Sequence, residues 1–505
     1  METDKKIKQP EQGKDRIEEV ANTLEWLITA FILAFVFRAF VMEAFRIPTG
    51  SMADTLMGAH FRLRCLQCGY EYEYGFIPEW FQLPKDSVPG TPVNLLRIRC
   101  PSCGFIDESK RPHIVSNGDR LLVLKCIYQF SEPKRWDVVV FKNPLEPRIN
   151  YIKRMIAKPE EKVEIIDGDI YINDKIARKP AEVQEELWMP VYINDYQPAR
   201  PDEGSFNGHP WRNPFLTTGS RWVIDPENPA YFHLDSPADQ LNSLVYNTKV
   251  GNNFRCAYAY NDIGTYRDLE VVSDFMVSFY ASRMEKEWGV GAILGKYGVT
   301  FKAWVDFTGT MNISYGTGPI GTLLASSKCK AILSPKPARI RFANVDHQLI
   351  FEYDGQTLTY DLDSNPDILG ERQTGIEPRV EILGSGKVTL SHVAVFRDIH
   401  YTGRNPNSSQ PVLRAFEGSA LLLQKDQFFV LGDNSPNSED SRYWKIKGTG
   451  NNGTEYDEGI VPRDYLVGKA IFVYWPGGFR PSFGQNYFPF AIIPNVGKMR
   501  FVAGG

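Results

Sequence analysis

The chain contains 505 residues, a length that suits about three domains of ordinary size. Hydrophobic residues make up 43% of the sequence and charged residues 23%, which is typical of folded globular protein and excludes a wholly disordered chain. The formal net charge of −4 gives no basis for a nucleic-acid-binding function, and we expect no nucleic-acid partner.

The first predicted element is a membrane-spanning helix. Residues 24–42 are apolar except for Glu25 and Arg38, which lie near the ends of the stretch. A helix of this length spans about 28 Å, close to the ~30 Å hydrocarbon core of a bilayer. Basic residues precede it, so the positive-inside rule predicts a cytoplasmic amino terminus and an external remainder. A cleaved signal peptide is the alternative, but Arg38 and the lack of a following A-x-A site disfavour it.

A candidate nucleophile follows this helix directly. Residues 46–56 read RIPTGSMADTL. Gly50 permits a tight backbone approach next to Ser51 and leaves the serine hydroxyl exposed. Because T-G-S is a common loop sequence, this segment alone does not establish a catalytic serine.

Two C-x-x-C-G pairs follow within residues 59–113 and resemble a zinc ribbon. The four cysteines are Cys65, Cys68, Cys100 and Cys103. Each such knuckle directs two thiolates inward, and its Gly permits the turn beneath, so the pattern predicts one tetrahedral, structural zinc site. Two disulfides are the alternative, because thiols outside the cytoplasm are readily oxidised.

A candidate general base lies on the next predicted strand. Residues 151–156 read YIKRMI, in which apolar and basic residues alternate as in a strand. An amine in an apolar pocket loses its proton because desolvation disfavours the charged form, so Lys153 can then accept a proton from a serine. A surface strand with paired basic residues is the alternative.

Residues 188–402 predict a second folded unit that is rich in strands. The run 349–360 contains two alternating segments separated by Asp354-Gly355, which is a strong hairpin signal. Dense strands without helical periodicity predict an antiparallel β-sandwich. It faintly resembles concanavalin-like lectin folds, which does not establish sugar binding. We expect its two ends to lie close together, so that its excision leaves a folded core.

The last candidate block is a polar loop. Residues 431–444 read LGDNSPNSEDSRYW and follow a short apolar strand. Small polar residues suit a loop that hydrogen-bonds to itself and to an active site. An ordinary Asx-rich turn is the alternative.

Taken in order, these blocks resemble the type I signal peptidase family. The apolar helix runs into R-I-P-T-G-S-M-x-x-T-L, and N-G-D-R and R-W-D-V-V-V-F follow. Y-I-K-R with K-P-E-E-K-V, and then G-D-N-S-x-N-S-x-D-S-R, complete the set. Each block is modest alone, whereas all five in the family's order are specific. The resemblance covers about residues 24–58, 114–182 and 410–476.

The resemblance implies a role for each site residue. Ser51 is the nucleophile, and Lys153 is the general base and later the general acid. The Ser51 backbone N–H and the hydroxyl of Thr49, which holds the place of a family serine, form the oxyanion hole. Ser438 orients the Lys153 amine. The supporting loop residues are Gly432, Asp433, Asn434, Asp440 and Arg442, the last two as an ion pair.

This sequence departs from the family pattern in two places. Asp54 stands where the family usually has Pro, and Ala157 and the pair 160–161 replace the usual Gly and Gly-Asp. None of these changes involves Ser51 or Lys153. Other protease mechanisms lack support, because the sequence contains neither a G-x-S-x-G elbow nor an H-E-x-x-H motif.

The predicted architecture is mainly β. It consists of an N-terminal transmembrane helix and a signal-peptidase-type antiparallel β catalytic core with an inserted zinc ribbon and an inserted β-sandwich. The predicted segments are the cytoplasmic tail 1–23, the helix 24–43, core 44–58, the zinc-ribbon-like insertion 59–113, core 114–187, the β-sandwich insertion 188–402, core 403–477 and the C-terminal tail 478–505.

The predicted function is a serine endopeptidase of the cell (cytoplasmic or inner) membrane that removes signal peptides from exported preproteins. It needs no cofactor for catalysis, and the implied partners are exported preproteins, membrane lipid and the secretion translocon. One alternative is a membrane-tethered, non-catalytic binding protein that uses the ribbon and the lectin-like sandwich. Another is a related Ser–Lys peptidase that cleaves itself or a repressor. The helix directly before Ser51 disfavours the self-cleaving peptidase. Intact Ser51, Lys153 and Ser438 disfavour the non-catalytic binding protein.

Overall fold

The protein is built mainly from strands, with 42% of residues in strands and 13% in helices. The predicted mainly β fold with one apolar amino-terminal helix is confirmed. The computed structural model describes residues 12–84, 87–95, 97–261, 269–316, 321–329, 336–373, 375–403, 414–445, 447–450, 453, 455–478, 482–483, 486–487 and 493–505.

An apolar helix precedes the first strand. Helix α1 (Gln12–Val36) continues as a π-helical segment, Phe37–Val41. The stretch Glu18–Val41 contains an 18-residue window with a mean hydropathy of 2.0, and no residue of that window is buried. By length and composition this helix is able to cross a membrane.

The helix ends earlier than predicted. Strand β1 (Met42–Arg46) begins immediately after the π-helical segment. Met42 and Glu43, which the predicted span 24–43 includes, pair instead with Leu124 and Val123 in a sheet. The chain therefore passes from the apolar helix into the folded domain without a linker.

The first insertion is a unit of short strands. They are β2 (His60–Arg64), β3 (Glu71–Gly75), β4 (Val93–Asn94), β5 (Ile98–Arg99), β6 (Ile106–Asp107), β7 (Pro112–His113) and β8 (Val115–Ser116). They pair as β3-β2-β8, β4-β7 and β5-β6. Buried side chains including Phe61, Phe76 and Cys100 form a separate hydrophobic cluster here.

The predicted catalytic core, residues 44–58, 114–187 and 403–477, is called the catalytic region below. Its middle segment, 114–187, supplies strands and two short helices. They are β9 (Arg120–Leu124), α2 (Ile127–Phe130), β10 (Val138–Lys142), β11 (Asn150–Ala157), β12 (Lys162–Ile166), β13 (Asp169–Ile172), β14 (Lys175–Ile176) and α3 (Ala181–Leu187).

The second insertion supplies thirteen of the described strands. They are β15 (Met189–Ile193), β16 (Phe215–Leu216), β17 (Trp222–Ile224), β18 (Phe232–Asp235), β19 (Asn242–Tyr246), β20 (Phe275–Lys296), β21 (Val299–Asp306), β22 (Thr310–Tyr315), β23 (Thr322–Lys328), β24 (Ala338–Val345), β25 (Gln348–Tyr353), β26 (Gln356–Asp361) and β27 (Arg379–Arg397).

Two long strands organise this insertion. The first part of β20 pairs with β24 and its last part pairs with β21, while β27 runs beside β20 in both parts. One cluster of buried apolar residues from both parts fills the space between the resulting layers. The two ends of the insertion pair with each other, at Met189 and Arg397, as predicted.

The predicted hairpin at 349–360 is present. Strands β25 and β26 pair antiparallel, with Tyr353 opposite Gln356. Asp354 and Gly355 both have positive φ, at 46° and 82°. A two-residue turn with positive φ at both positions matches the right-handed twist of the flanking strands, which explains the Asp-Gly sequence.

The carboxy-terminal region supplies strands that complete the main sheet of the catalytic region, called the catalytic sheet below. Its strands are β28 (Leu421–Leu422), β29 (Gln427–Leu431), β30 (Gly448–Thr449), β31 (Glu455–Tyr456), β32 (Val461–Pro462), β33 (Leu466–Trp475), β34 (Ser482–Phe483), β35 (Asn486–Tyr487) and β36 (Arg500–Phe501).

The catalytic sheet joins segments that are far apart in the sequence. Its order is β1-β9-β33-β10-β11-β29-β32, and β36 also pairs with β33. Strand β11 therefore lies between β10 and β29, with Lys153 opposite Val139 and Arg154 opposite Leu431. This register brings the strand of the predicted general base beside the strand that leads into the final polar loop.

A buried ion cluster joins the sandwich to the catalytic region. Lys179 Nζ lies 2.5 Å from Asp346 and 2.8 Å from Asp398, and Lys296 pairs with Asp274. Lys179 belongs to the catalytic region, whereas its two acidic partners belong to the second insertion. The two units are thus held by buried charges as well as by the chain itself.

Candidate active site

The candidate nucleophile Ser51 lies in a tight turn just after β1. Ala53 N–H donates to the Gly50 carbonyl at 3.0 Å, and Leu56 N–H donates to the Met52 carbonyl at 2.7 Å. Ser51 is 8% exposed. The turn therefore presents a largely buried hydroxyl at the end of the sheet.

Lys153 reaches this hydroxyl from β11. Its Nζ lies 2.6 Å from Ser51 Oγ and 3.1 Å from the Ile152 carbonyl oxygen. Lys153 is 3% exposed, and burial lowers its pKa to about 8, although the nearby carboxylates of Asp440 and Asp433 oppose this shift. A substantial fraction of this amine is thus neutral in mildly alkaline solution.

The final loop supports the Ser51 turn from the opposite side. Asn434 N–H donates to the Ser51 carbonyl at 3.1 Å, and its side-chain amide donates to the Gly50 carbonyl at 3.0 Å. A Cβ on Gly432 would lie 2.4 Å from the Ser51 carbonyl oxygen and 2.2 Å from Ser438 Oγ. Only glycine fits at position 432, because any side chain would displace the nucleophile turn.

A buried network holds this loop in shape. Asp440 accepts hydrogen bonds from Arg442 Nε at 2.8 Å and Nη2 at 2.7 Å, which is the predicted ion pair. Its Oδ2 also accepts from the Gly432 N–H at 3.0 Å. Arg442 in turn donates to the Ser435 carbonyl and to the Thr402 carbonyl.

Ser438 makes a different contact from the one predicted. Its hydroxyl donates to Asp440 Oδ2 at 2.7 Å, whereas the Lys153 amine contacts Ser51, the Ile152 carbonyl and the Tyr151 ring. The carboxylate competes successfully for the hydroxyl proton because a charged acceptor makes the stronger hydrogen bond. Ser438 therefore acts on the loop in this structure, rather than on the amine directly.

A second buried ion pair joins β11 to the loop. Arg154 Nε and Nη2 donate to the two oxygens of Asp433 at 2.8 and 2.7 Å, and neither side chain is exposed. Arg154 follows Lys153 directly, so the pair fixes the strand that carries the amine. The sequence blocks placed Asp433 in the loop, whereas the role of Arg154 depends on a partner 279 residues away.

The N-G-D-R block also supports the nucleophile turn. Asp119 Oδ2 accepts from the Met57 N–H at 3.0 Å, and Asp119 N–H donates to the Met57 carbonyl at 2.8 Å. The Asp119 carbonyl accepts from the Ile47 N–H at 2.9 Å. Both ends of the turn are thus bonded to one residue, whose role sequence analysis did not identify.

Two other predicted positions lie on this turn. Thr49 is exposed, two residues before Ser51. Asp54, which replaces the family's Pro, faces a cavity of about 1020 Å³ between the two insertions and the catalytic region. Burial, assisted by nearby Glu73, raises the pKa of Asp54 to about 6.

The four predicted zinc ligands converge. The Cys65 and Cys103 sulfurs lie 3.7 Å apart, as do those of Cys68 and Cys100, and all four lie within 4.8 Å of one another. A tetrahedral zinc with bonds of about 2.3 Å requires sulfurs about 3.8 Å apart, whereas a disulfide requires about 2.05 Å. All seven cysteines are described, and none is in a disulfide. The donor set and spacing therefore fit a metal ion.

The two knuckles have matching backbone geometry. Gly69 N–H donates to the Cys65 carbonyl and Gly104 N–H donates to the Cys100 carbonyl, both at 3.0 Å. The two glycines have positive φ, at 74° and 76°. Glycine adopts this conformation without steric cost, which explains the C-x-x-C-G pattern.

Comparison with protein families identifies part of the chain. The model for "Signal peptidase, peptidase S26" matches residues 106–213 and 385–475. These segments include Lys153 and the final loop, whereas Ser51 lies before the first of them. The placement of Ser51 therefore depends on its geometry and on its own sequence block.

Curated relatives agree with this match. Signal peptidase I of Rickettsia akari (strain Hartford) is 31% identical over 153 residues, which cover 30% of this chain and 43% of the relative. Signal peptidase I of Rickettsia canadensis (strain McKiel) gives the same identity and coverage. The chain thus spans less than half the length of these relatives.

Solved structures that match the chain resemble it only weakly. A carbohydrate-binding module, CBM66 from Bacillus subtilis, has a TM-score of 0.24 and 8% identity, over 37% of this chain and 99% of the module. Alginate lyase A1-II', a member of polysaccharide lyase family 7, has a TM-score of 0.26 and 9% identity, over 36% of this chain and 85% of the lyase. Scores this low support no conclusion about a ligand.

The sequence blocks occur in the family's order, and the matched segments contain two of the elements that meet at Ser51. The two relatives named above are signal peptidases I. These matches support the type I signal peptidase family for the segments of the chain that they cover.

Proposed function

We propose that this protein is a membrane-bound serine endopeptidase that removes signal peptides from exported preproteins, with Ser51 as the nucleophile and Lys153 as the general base. The main support is the 2.6 Å contact between Lys153 Nζ and Ser51 Oγ in a buried setting that lowers the pKa of the amine. A neutral amine at this distance is within reach of the hydroxyl proton.

The proposed reaction uses the same two groups twice. Neutral Lys153 accepts the Ser51 proton while Oγ attacks the scissile carbonyl, and the charged amine then protonates the departing nitrogen as the C–N bond breaks. Lys153 next accepts a proton from water while the water oxygen attacks the ester carbonyl. It returns this proton to Ser51 Oγ as the ester C–O bond breaks, which restores the free serine and the neutral amine. The Ser51 N–H and the exposed Thr49 hydroxyl would stabilise the carbonyl oxygen when it becomes negative.

The amino-terminal helix gives the proposed location. Anchored by α1 with its amino terminus in the cytoplasm, the catalytic region would lie on the outer side, near membrane-held preproteins and the secretion translocon. Sharing one membrane raises the local substrate concentration, so weak peptide contacts suffice. The segment boundaries predicted from the sequence are part of this proposal, except that the helix ends at Val41 and β1 begins at Met42.

Cleavage of a preprotein is the direct test of this function. We expect the full chain in detergent to cut a preprotein at one site, leaving a mature amino terminus that mass spectrometry identifies. A preprotein that is bound but stays intact would contradict the proposal and favour a binding protein. Cleavage of this chain alone would favour a self-processing peptidase.

The pH dependence follows from the pKa of Lys153. Because its pKa is about 8 and only the neutral amine accepts a proton, kcat/KM should rise about tenfold per pH unit below this value and level off above it. Initial rates between about pH 6 and 10 measure the profile. A flat profile over this range would contradict the role of Lys153.

We also propose that the four clustered cysteines hold one structural zinc ion. The insertion is small and would gain stability from a metal, as other small domains do. The catalytic proposal is independent of this one, because no step above uses a metal.

Elemental analysis tests the zinc proposal. We expect about one zinc per chain, and loss of that zinc in Cys65→Ser and Cys100→Ser. Cys329→Ser is the matched control, since Cys329 is 8% exposed and Cys65 7%, and it should retain the metal. Mass spectrometry that finds the four cysteines disulfide-linked in metal-free protein would show that the assignment is wrong.

A further inference from the structure

A short segment of the second insertion reaches the nucleophile turn. Residues 258–261 lie between β19 and β20, outside the paired strands of the sandwich. They contact the Ser51 turn, the final loop and the first insertion through three polar side chains. None of the five family blocks includes this segment, so sequence analysis gave it no role.

Asn261 forms a reciprocal pair of hydrogen bonds with Asn434. Asn261 Nδ2 donates to Asn434 Oδ1 at 2.7 Å, and Asn434 Nδ2 donates to Asn261 Oδ1 at 2.9 Å. Asn437 Nδ2 donates to the same Asn261 oxygen at 3.3 Å. The paired bonds determine which way the Asn434 amide points, since a flipped amide would place like atoms opposite each other.

The orientation of Asn434 matters because of its other contact. The same Nδ2 that donates to Asn261 also donates to the Gly50 carbonyl, directly before Ser51. Both amide side chains are buried. Without Asn261, the Asn434 oxygen would be buried without a partner, and the side chain would lose the constraint that directs its N–H towards Gly50.

Neighbouring tyrosines hold the segment in place. The Tyr260 ring packs so closely on Gly50 that a Cβ there would lie 2.0 Å from a ring carbon. Tyr260 also donates its hydroxyl to the Ala59 carbonyl at 2.7 Å, and its carbonyl accepts from the Gly75 N–H at 2.8 Å. Tyr258 donates to the Asp433 carbonyl at 2.9 Å.

We propose that Asn261, from the second insertion, is a positioning residue for Ser51, acting through Asn434. This inference rests on the proposed function, because it assumes that Ser51 is the nucleophile. It assigns the insertion a part in the reaction itself. It also changes the expectation for an excised chain. Removing residues 188–402 would remove Asn261 and Tyr260, so a core that folds would still lack the contacts that these two residues make with the nucleophile turn and with Asn434.

A double-mutant cycle tests the proposal in the full chain. We expect Asn261→Ala to lower kcat for preprotein cleavage by about tenfold, with KM changed less than about twofold, because one supporting hydrogen-bond pair is lost and no substrate contact is removed. Asn434→Ala should lower kcat at least as much. The double variant should be little worse than Asn434→Ala alone, since the first residue acts through the second.

Two controls separate positioning from general damage. Asn242→Ala removes an equally buried amide, 5% exposed as Asn261 is, whose side chain bonds to the backbone of Arg221 and Gln240 within the second insertion. It should leave kcat unchanged. The alkaline limb of the pH profile should also stay near pH 8 in Asn261→Ala, because the substitution removes no charge and no contact with Lys153.

Labelling of Ser51 by a fluorophosphonate gives a readout that needs no preprotein. The labelling rate, followed by mass spectrometry, should fall in Asn261→Ala in parallel with kcat. If Asn261→Ala does not fold, Asn261→Ser, which retains a hydroxyl, takes its place in the same cycle.

Each outcome decides one question. Wild-type kcat and labelling in a folded Asn261 variant, or effects of Asn261→Ala and Asn434→Ala that simply add, would overturn the positioning role and leave the proposed function intact. Wild-type protein that neither cleaves preprotein nor is labelled at Ser51 would instead overturn the proposed function. A tenfold loss with strong coupling and an unshifted pH limb would support the positioning role.

Discussion

Ser51→Ala should lower preprotein cleavage by at least about 10³-fold, because Ser51 Oγ is the one hydroxyl in the described part of the chain that bonds to the buried amine. Lys153→Ala should do nearly the same. Lys153→Arg should be no better, since a guanidinium stays protonated and cannot accept a proton. The measurement is the rate at which full chain in detergent releases the mature protein.

Matched controls make this result specific. Ser116 is 8% exposed, as Ser51 is, and lies outside the catalytic site, so Ser116→Ala should retain activity. Lys158 belongs to the same sequence block as Lys153, but its side chain is 42% exposed and does not contact Ser51, so Lys158→Arg should also remain active. Processing that persists in Ser51→Ala would contradict the proposed mechanism directly.

Arg154→Met should destabilise the catalytic region by about 3–5 kcal/mol. The reason is that Asp433 would be left charged and fully buried without its bidentate partner. The free energy of unfolding, measured by urea titration of the full chain in detergent, gives the value. Activity should fall as well, because Arg154 follows Lys153 on β11.

Two further variants identify the cause of that loss. Arg154→Met combined with Asp433→Asn should recover part of the stability, since the unpaired charge is gone. Arg178→Met breaks the partly exposed pair with Asp361 and should cost no more than about 1 kcal/mol. If Arg154→Met lowers the free energy of unfolding by no more than Arg178→Met does, the buried pair contributes little to stability.

The sequence predicted the parts of the site that form continuous blocks. The order of the five blocks indicated that Ser51, Lys153 and the Gly432 loop belong to one site, and the strand alternation around Lys153 matches β11. The Asp-Gly turn at 354–355 predicted a hairpin because its backbone conformation depends on only two residues. A conformation that depends on neighbouring residues alone can be predicted without knowledge of the fold.

The features that were missed depend on contacts between distant segments. Arg154 and Asp433 are 279 residues apart, and nothing in either block indicates that they pair. Ser438 was expected at the Lys153 amine, but its hydroxyl donates a hydrogen bond to Asp440, two residues further along the chain. Asn261 belongs to no recognisable motif, and only the folded chain places it against Asn434.

The position of β29 beside β11 has a consequence for the order in which the enzyme matures. Synthesis runs from the amino terminus, which stays in the cytoplasm on the proposed topology, so Ser51 and Lys153 are made long before the final loop. At about 5–20 residues per second, the 279 residues between Arg154 and Asp433 take roughly 14–56 s to make. Until then the lysine strand and the nucleophile turn lack the contacts that Asp433 and Asn434 supply. The nascent peptidase is therefore latent during its own export, and it gains the ability to cut only when its last strands arrive.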